Sequence, residues 1–276
     1  MVIDILTLSP GYFASPLQEG MIRRGIEKGL VRVRIFNLRA FTRDRHRTVD
    51  DRPFGGGPGM VLKPEPIVRA LTFLQGIPPG RPYNILLTPR GRPLDQGLLK
   101  KIVAQGRLVL ICGRYEGVDE RIARYYVDDE LSLGDYILTG GELAAMVVID
   151  AVARLLPGVL GNAASAETDS FAEAILEYPQ YTRPQEFRGY SVPDILLSGN
   201  HQAIRRWRHG QALLRTQLRR PDLFTRLHLS AEDCGLLTQA CEESARESAG
   251  SGIGGENRED TAVSGPGALS GGESPP

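Results

Sequence analysis

Residues 43–60 read Arg-Asp-Arg-His-Arg-Thr-Val-Asp-Asp-Arg-Pro-Phe-Gly-Gly-Gly-Pro-Gly-Met, a dense alternation of charge that ends in a run of glycines. Arg43, Arg45, His46 and Arg52 are groups that could meet phosphate from a mobile lid. Glycine lets backbone approach a ligand or another chain segment closely. A solvated loop is the plain alternative. The run is no P-loop, because no Gly-Lys-Ser/Thr follows it. A second stretch, Leu108-Val-Leu-Ile-Cys-Gly-Arg-Tyr-Glu-Gly117, carries an apolar strand straight into a glycine, a cation, an aromatic and an acid. Ligands of open α/β sheets bind beyond the carboxyl ends of strands, where such a loop would stand. The GxGxxG spacing of a dinucleotide fold is missing, and an ordinary strand-to-helix turn fits the pattern too. Cys112 by itself reads as a small core residue rather than a nucleophile. The third stretch, Leu131-Ser-Leu-Gly-Asp-Tyr-Ile-Leu-Thr-Gly-Gly-Glu142, places Gly134, Gly140 and Gly141 around short apolar runs. Together with Leu86-Leu-Thr-Pro89 it makes three strand-end loops that could converge on one pocket.

Three further features carry charge. Arg154 follows Asp150 by four residues, so the two share a helix face. An exposed pair of that kind is worth only about 0.3–0.5 kcal/mol, whereas a buried one would mark an electrostatic site. Asp169 stands beside Ser170 and reads either as a local cap or as a carboxylate on a hinge over a pocket. In residues 200–220, at ~100° per residue, Arg205, Arg208, Arg215 and Arg219 fall within about an 80° sector. Ala203, Trp207, Leu214 and Leu218 fall on the other side. Residues 194–229 hold seven arginines, no lysine and two aspartates. That imbalance favours phosphate binding over a merely solvated face. Trp207 reads as core.

The elements that must position these groups alternate strand and helix. Strands are expected at Val2–Leu8, Val31–Leu38, Asn84–Leu87, Leu108–Cys112 and Tyr136–Leu138. Continuous apolar runs such as Leu108–Cys112 suit parallel strands covered on both faces. Helices are expected at Glu65–Leu74, Leu94–Gln105, Val118–Tyr125 and Glu142–Leu156. The last is hydrophobic almost all round and should be buried. The pattern is that of an α/β sheet with helices on its faces. A Gly/Ala/Ser/Thr-rich linker follows at Gly158–Asp169, with Ser170-x-x-Glu173 as a possible capping box. Residues 175–240 read as mostly helical. Beyond Ser244 the chain is rich in Gly, Ser, Pro and Glu and is expected to be disordered.

Bulk properties agree with a globular protein. Hydrophobic residues make up 41% of 276, and 33 Lys plus Arg balance 33 Asp plus Glu. Three scattered cysteines make no disulfide framework and no CxxC metal spacing, which fits a reducing compartment. No basic leader and no stretch of ~20 apolar residues is present, so a soluble cytoplasmic protein is expected.

The segments DRHRTVDDRPFGGGPGM, CGRYEGVDER, SLGDYILTGGELAAM, PGVLGNAASAETDSFAE, YTRP and LLSGNHQAIRRWR, in this order, closely resemble the TrmD family of bacterial tRNA (guanine-N1) methyltransferases. The likeness runs over nearly all of residues 1–230. It implies a SPOUT-type α/β fold with a deep trefoil knot, a mostly parallel sheet and a small helical C-terminal domain. The implied divisions are a knotted methyltransferase domain (1–160), a flexible linker (161–174), a helical tRNA-binding domain (175–243) and a disordered tail (244–276). By this resemblance S-adenosylmethionine would touch Leu86, Leu87, Thr88 and Pro89, then Gly113, Tyr115 and Glu116. It would also touch Ser132, Leu133, Gly134, Asp135, Tyr136, Ile137 and Leu138, with Gly140 and Gly141. Asp169 would be the general base for guanine N1 and Arg154 the cation for O6. The Arg43–Arg52 loop and the Arg205–Arg219 stripe would hold tRNA. The target would be the guanosine just 3′ of the anticodon, preceded by another guanosine. The resemblance also implies a homodimer with shared active sites, and Mg2+, for which Glu116, Asp169 and Glu177 are the acids assigned. A catalytically silent RNA-binding protein on the same scaffold is the alternative function. An ordinary doubly wound nucleotide enzyme is a further one.

Overall fold

The computed structural model describes residues 1–160, 170–171 and 175–250. They fall into two compact units that divide between Glu177 and Tyr178. In the first, strands β1 (Val2–Thr7), β2 (Arg32–Asn37), β5 (Tyr83–Pro93), β6 (Arg107–Cys112) and β7 (Asp129–Ser132) form one sheet in the order β2-β1-β6-β5-β7. Every pair in it is parallel. Two short strands, β3 (Asp50–Asp51) and β4 (Val61–Leu62), make an antiparallel pair that closes the base of the glycine-rich loop.

The sheet is covered on both faces, as the continuous apolar runs required. Side chains alternate sides along a strand. Ile3, Ile5, Ile85, Leu87, Leu108, Leu110 and Cys112 therefore join one core with α3 (Gln96–Val103) and α5 (Glu142–Leu155). Leu6, Leu86, Val109 and Ile111 join the other with α2 (Pro64–Gln75) and α4 (Glu120–Tyr125). All six β6 residues are buried. Arg107 is among them because it is fully engaged: Nε and Nη2 donate to Asp4 Oδ2 at 3.2 and 3.0 Å. Its remaining N–H groups donate to the carbonyls of Leu74, Ile77, Pro79 and Gly80 at the end of α2. Arg34 grips the same Asp4 from β2, at 2.5 and 2.8 Å.

Four sequence expectations change. The fifth strand is Asp129–Ser132, and Tyr136–Leu138 is loop with Tyr136 and Ile137 exposed. The apolar pattern does not mark this strand because it opens on two acids. At the sheet edge these are answered by Arg92 and Arg90, which bond Asp129 and Glu130. Helix α1 (Gly20–Glu27) is not marked in the sequence, since glycines at 20 and 25 lower its local propensity. Helix α5 is not buried all round: Leu143 and Val147 are 48% and 47% exposed, in one stripe with Asp150 and Arg154. Residues 178–200 are not helical apart from a 3-10 turn at Asp194–Leu197; they include a hairpin of β8 (Glu186–Phe187) and β9 (Tyr190–Ser191).

The second unit's long helices are α6 (His201–Arg219) and α8 (Ala231–Gly250), with a single turn α7 (Pro221–Phe224) between them. Asn200 caps α6 by accepting from Ala203 N–H. Gly210 does not break it: a Cβ there would stand 2.8 Å from the Leu236 carbonyl, so the glycine lets α6 and α8 touch. Helix α8 continues past Ser244, where Glu242–Arg246 adds an i,i+4 pair among good helix formers. The linker expectation (161–169 and 172–174), the Glu173 half of the capping box and residues 251–276 lie outside the described residues.

Candidate active site

Parallel strands end on the same edge of a sheet, so the segments that leave β6 and β7 emerge beside the bulge in β5. There Leu86–Arg90, Gly113–Val118, Leu131–Gly134 and Tyr136–Gly141, with Ala144 of α5, enclose a cavity of about 340 Å3. That volume lies within the range of small-molecule sites. All but one of the residues expected to hold the cofactor line it. The exception is Asp135, which is exposed and does not line the cavity.

Close backbone contacts hold the wall. Gly141 N–H donates to Gly113 O at 2.9 Å, and Arg114 pairs with Gly140 in an isolated antiparallel bridge. A Cβ on Gly141 would stand 2.7 Å from Cys112 Cα, and one on Gly91 would stand 2.5 Å from Leu131 N. Tyr115 takes φ 59°, a costly conformation for a side chain with Cβ. The glycine-rich loop leans on this wall as well. Glu116 N–H donates to Met60 O at 3.0 Å, and Leu62 N–H to Gly117 O at 2.9 Å. Gly59 lies against the Glu116 carboxylate, where a Cβ would come within 2.3 Å of Oε1.

The cavity floor is apolar, from Leu86, Leu87, Leu131, Leu133, Leu138 and Ala144. Its polar side groups include Glu116 and the cations Arg90 and Arg114. Arg90 bonds Glu120 at 2.5 Å and Glu130 at 3.0 Å. Arg114 Nε bonds buried Glu142 at 3.2 Å. Burial pushes the Cys112 thiol well up, and the nearby Glu142 carboxylate adds to the shift while Arg114 opposes it. A thiol so held is no nucleophile at neutral pH. Neither Arg90 nor Arg114 was singled out from the sequence. Arg114 sits inside the CGRYEG segment, and an arginine flanked by two lining positions was the available signal.

The chain matches a family model described as tRNA (Guanine-1)-methyltransferase TrmD over residues 1–226. It belongs to the TrmD family. Its relatives include a tRNA (guanine-N(1)-)-methyltransferase of Geotalea uraniireducens, 54% identical over 84% of this chain and 94% of the relative. Enzymes of the same name from Syntrophotalea carbinolica and Moorella thermoacetica are each 54% identical. The first covers 87% of this chain and 96% of its own length, the second 84% and 94%.

Of the residues that family likeness singles out elsewhere, Arg154 is exposed in the last turn of α5. It does not line the cavity. It stands roughly 15 Å along the helix axis from Ala144, at 1.5 Å per residue. Asp169 lies outside the described residues. Glu177 N–H donates to Ser170 Oγ at 2.9 Å. Among the described residues no three His, Cys, Asp or Glu side chains gather as a metal group. Arg43, Arg45, His46 and Arg52 are exposed around the glycine-rich loop. Of the expected stripe, Arg205 and Arg219 are exposed and Arg215 is half-buried. Arg208 departs from it: its guanidinium lies 4.7 Å over the Tyr178 ring, with Nε buried. Leu218 is exposed rather than core, and Trp207 is only half-buried, its Nε1 donating to Glu243 at 3.0 Å. Among the described residues no helix is long and apolar enough to cross a membrane.

Proposed function

We propose that this protein is a cytoplasmic enzyme that methylates N1 of a guanine in tRNA, the guanosine just 3′ of the anticodon, with S-adenosylmethionine as donor. The observation that carries the reading is the cavity at the carboxyl edge of a parallel sheet, in a chain of the TrmD family. Its chemistry suits that donor. The leucine floor can take a purine ring, the glycine-rich walls offer backbone N–H and C=O groups, and the Glu116 carboxylate can face a cation. When bound, the donor supplies an electrophilic methyl carbon on a sulfonium.

The chain's own residues then have three tasks. Guanine N1 carries a proton and is a poor nucleophile until a base removes it; Asp169 takes that role. Loss of the proton leaves negative charge on O6, which the Arg154 guanidinium stabilises. The walls align acceptor and donor for in-line displacement. The exposed arginines at 43, 45 and 52, with His46, and the Arg205–Arg219 face bind the phosphate backbone. A base must leave its stack to reach the cavity.

Arg154 is too far along α5 to serve the cavity of its own chain, which supports a homodimer with shared sites. The half-exposed Leu143 and Val147 on the same stripe suit such a contact. The deep trefoil knot belongs to the same reading. The glycine crossings at Gly91 and Gly141, where backbones meet closer than a Cβ allows, support a tightly threaded chain.

The test is reaction with methyl-labelled donor and total tRNA, followed by mapping of the modified nucleotide. Label at N1 of the guanosine 3′ of the anticodon is expected. tRNA binding without methyl incorporation would leave the RNA-binding alternative instead. Asp169→Ala is expected to abolish turnover while donor binding survives; near-normal turnover would remove it as the base.

A further inference from the structure

Behind the cavity wall runs a buried polar chain that joins three distant parts of the sequence. Ser9 N–H donates to Thr7 Oγ1 at 2.8 Å. The Thr7 hydroxyl donates to Glu142 Oε1 at 2.8 Å. The same oxygen accepts from Arg114 Nε at 3.2 Å. Thr7 is fully buried and Glu142 only 1% exposed, whereas about a quarter of the Arg114 side chain is exposed. A carboxylate buried this deeply needs partners, and it has two donors plus a place in the first turn of α5, where the helix dipole favours negative charge. Glu142 Oε2 also stands where a Cβ on Gly140 would be, 2.4 Å away, so the acid packs directly behind the pocket lining.

The two cations of the cavity are not equivalent. Arg90 is divided between Glu120 and Glu130. Arg114 is held by one edge only, and among the described residues neither of its terminal amino groups has a protein acceptor. A guanidinium fixed through Nε and open at its far side is a fork shaped for a carboxylate. Because Glu142 fixes the rotamer beforehand, less side-chain freedom is lost on binding.

We infer that Glu142, backed by Thr7, is a positioning residue that aims Arg114 at the carboxylate of the methyl donor's amino-acid tail. The inference rests on the reading of this cavity as the donor pocket, and it assigns the anion-binding end of that pocket.

The test compares two ligands by isothermal titration calorimetry on the full-length protein. S-adenosylhomocysteine has the amino-acid tail; 5′-methylthioadenosine has the same nucleoside and thioether without it. Arg114→Gln and the near-isosteric Glu142→Gln are each expected to lose roughly tenfold or more in affinity for S-adenosylhomocysteine. Their affinity for 5′-methylthioadenosine should stay within about twofold. Thr7→Val, which removes one donor to Glu142, should shift the ratio of the two affinities in the same direction by less. Equal weakening of both ligands in the Arg114 and Glu142 variants would make the pair a structural prop and overturn the inference. An unchanged ratio in all three variants would overturn it as well. If the wild-type protein bound neither ligand, the donor-pocket reading itself would fall, a result distinct from either of those.

Discussion

Gly141→Ala separates the fold's demand for a glycine from any demand made by backbone conformation. Gly141 has φ −77° and ψ −4°, which alanine adopts without strain. The obstacle is only space: a Cβ would lie 2.7 Å from Cys112 Cα, 3.0 Å from Gly113 N and 3.1 Å from Cys112 Cβ, where 3.4 Å begins ordinary contact. Something must move by several tenths of an ångström. Cys112 cannot do so readily, because β6 is the buried strand between β1 and β5. The shift therefore falls on the start of α5, which carries Glu142 and through it Arg114. Overpacking of this kind costs about 1–3 kcal/mol. Urea unfolding followed by circular dichroism should show that loss, and titration with S-adenosylhomocysteine should show weakened binding. Gly113→Ala is the control, since its nearest neighbours would be 3.5 and 3.6 Å away and its φ is not left-handed. It should be neutral or stabilised by up to about 1 kcal/mol. If Gly141→Ala matched Gly113→Ala in both stability and affinity, the close crossing would not be what requires glycine.

Asp4→Ala would strand Arg107 in the sheet with its charge unanswered, and a loss of about 3–5 kcal/mol is expected by urea unfolding; a change below about 1 kcal/mol would mean that the four carbonyls around Arg107 suffice. In the second unit, bonds from Ser230 N–H, then its hydroxyl, then His209 hold the Asp233 carboxyl below its usual range. A depressed carboxylate contributes stability that is present above its unfolded pKa and is lost as pH falls through the folded one. Acid unfolding followed by the fluorescence of Trp207, the single tryptophan, should therefore steepen below about pH 4 in the wild type. Asp233→Asn should flatten that slope, and an identical slope in both proteins would refute the assignment.

How much of this was legible depended on whether a signal was local. Buried parallel strands announce themselves as apolar runs, and Leu108–Cys112 was read nearly to the residue. The strand Asp129–Ser132 did not, because an edge strand can open on acids when arginines from its neighbour answer them. Tyr136–Leu138 misled for the converse reason: three apolar residues in a row look like a strand even when they line a loop. The exposed stripe of α5 is hard to see in the sequence because Leu143 and Val147 are apolar, so composition does not separate them from the buried positions beside them. Most of the cavity lining was readable through family resemblance, whereas the Arg114–Glu142–Thr7 chain was not. Its members lie 28 and 135 residues apart, and only the fold brings them together.

Several glycines around the site are explained by close packing of the protein against itself. A glycine-rich loop beside a pocket invites the view that each one makes room for a bound molecule. At several positions the neighbour is the protein itself, including Leu131 backbone at Gly91, Cys112 backbone at Gly141, the Glu116 carboxylate at Gly59 and the Glu142 carboxylate at Gly140. Gly55, Gly56 and Gly57 differ, since each has a left-handed φ and no neighbour within 4 Å of a Cβ. Conformation demands them, and space does not. The two groups should respond differently to substitution. Alanine at Gly91 or Gly141 must move a packed strand or helix and so disturb stability, while alanine at Gly56 strains only an open loop and should act on RNA binding first.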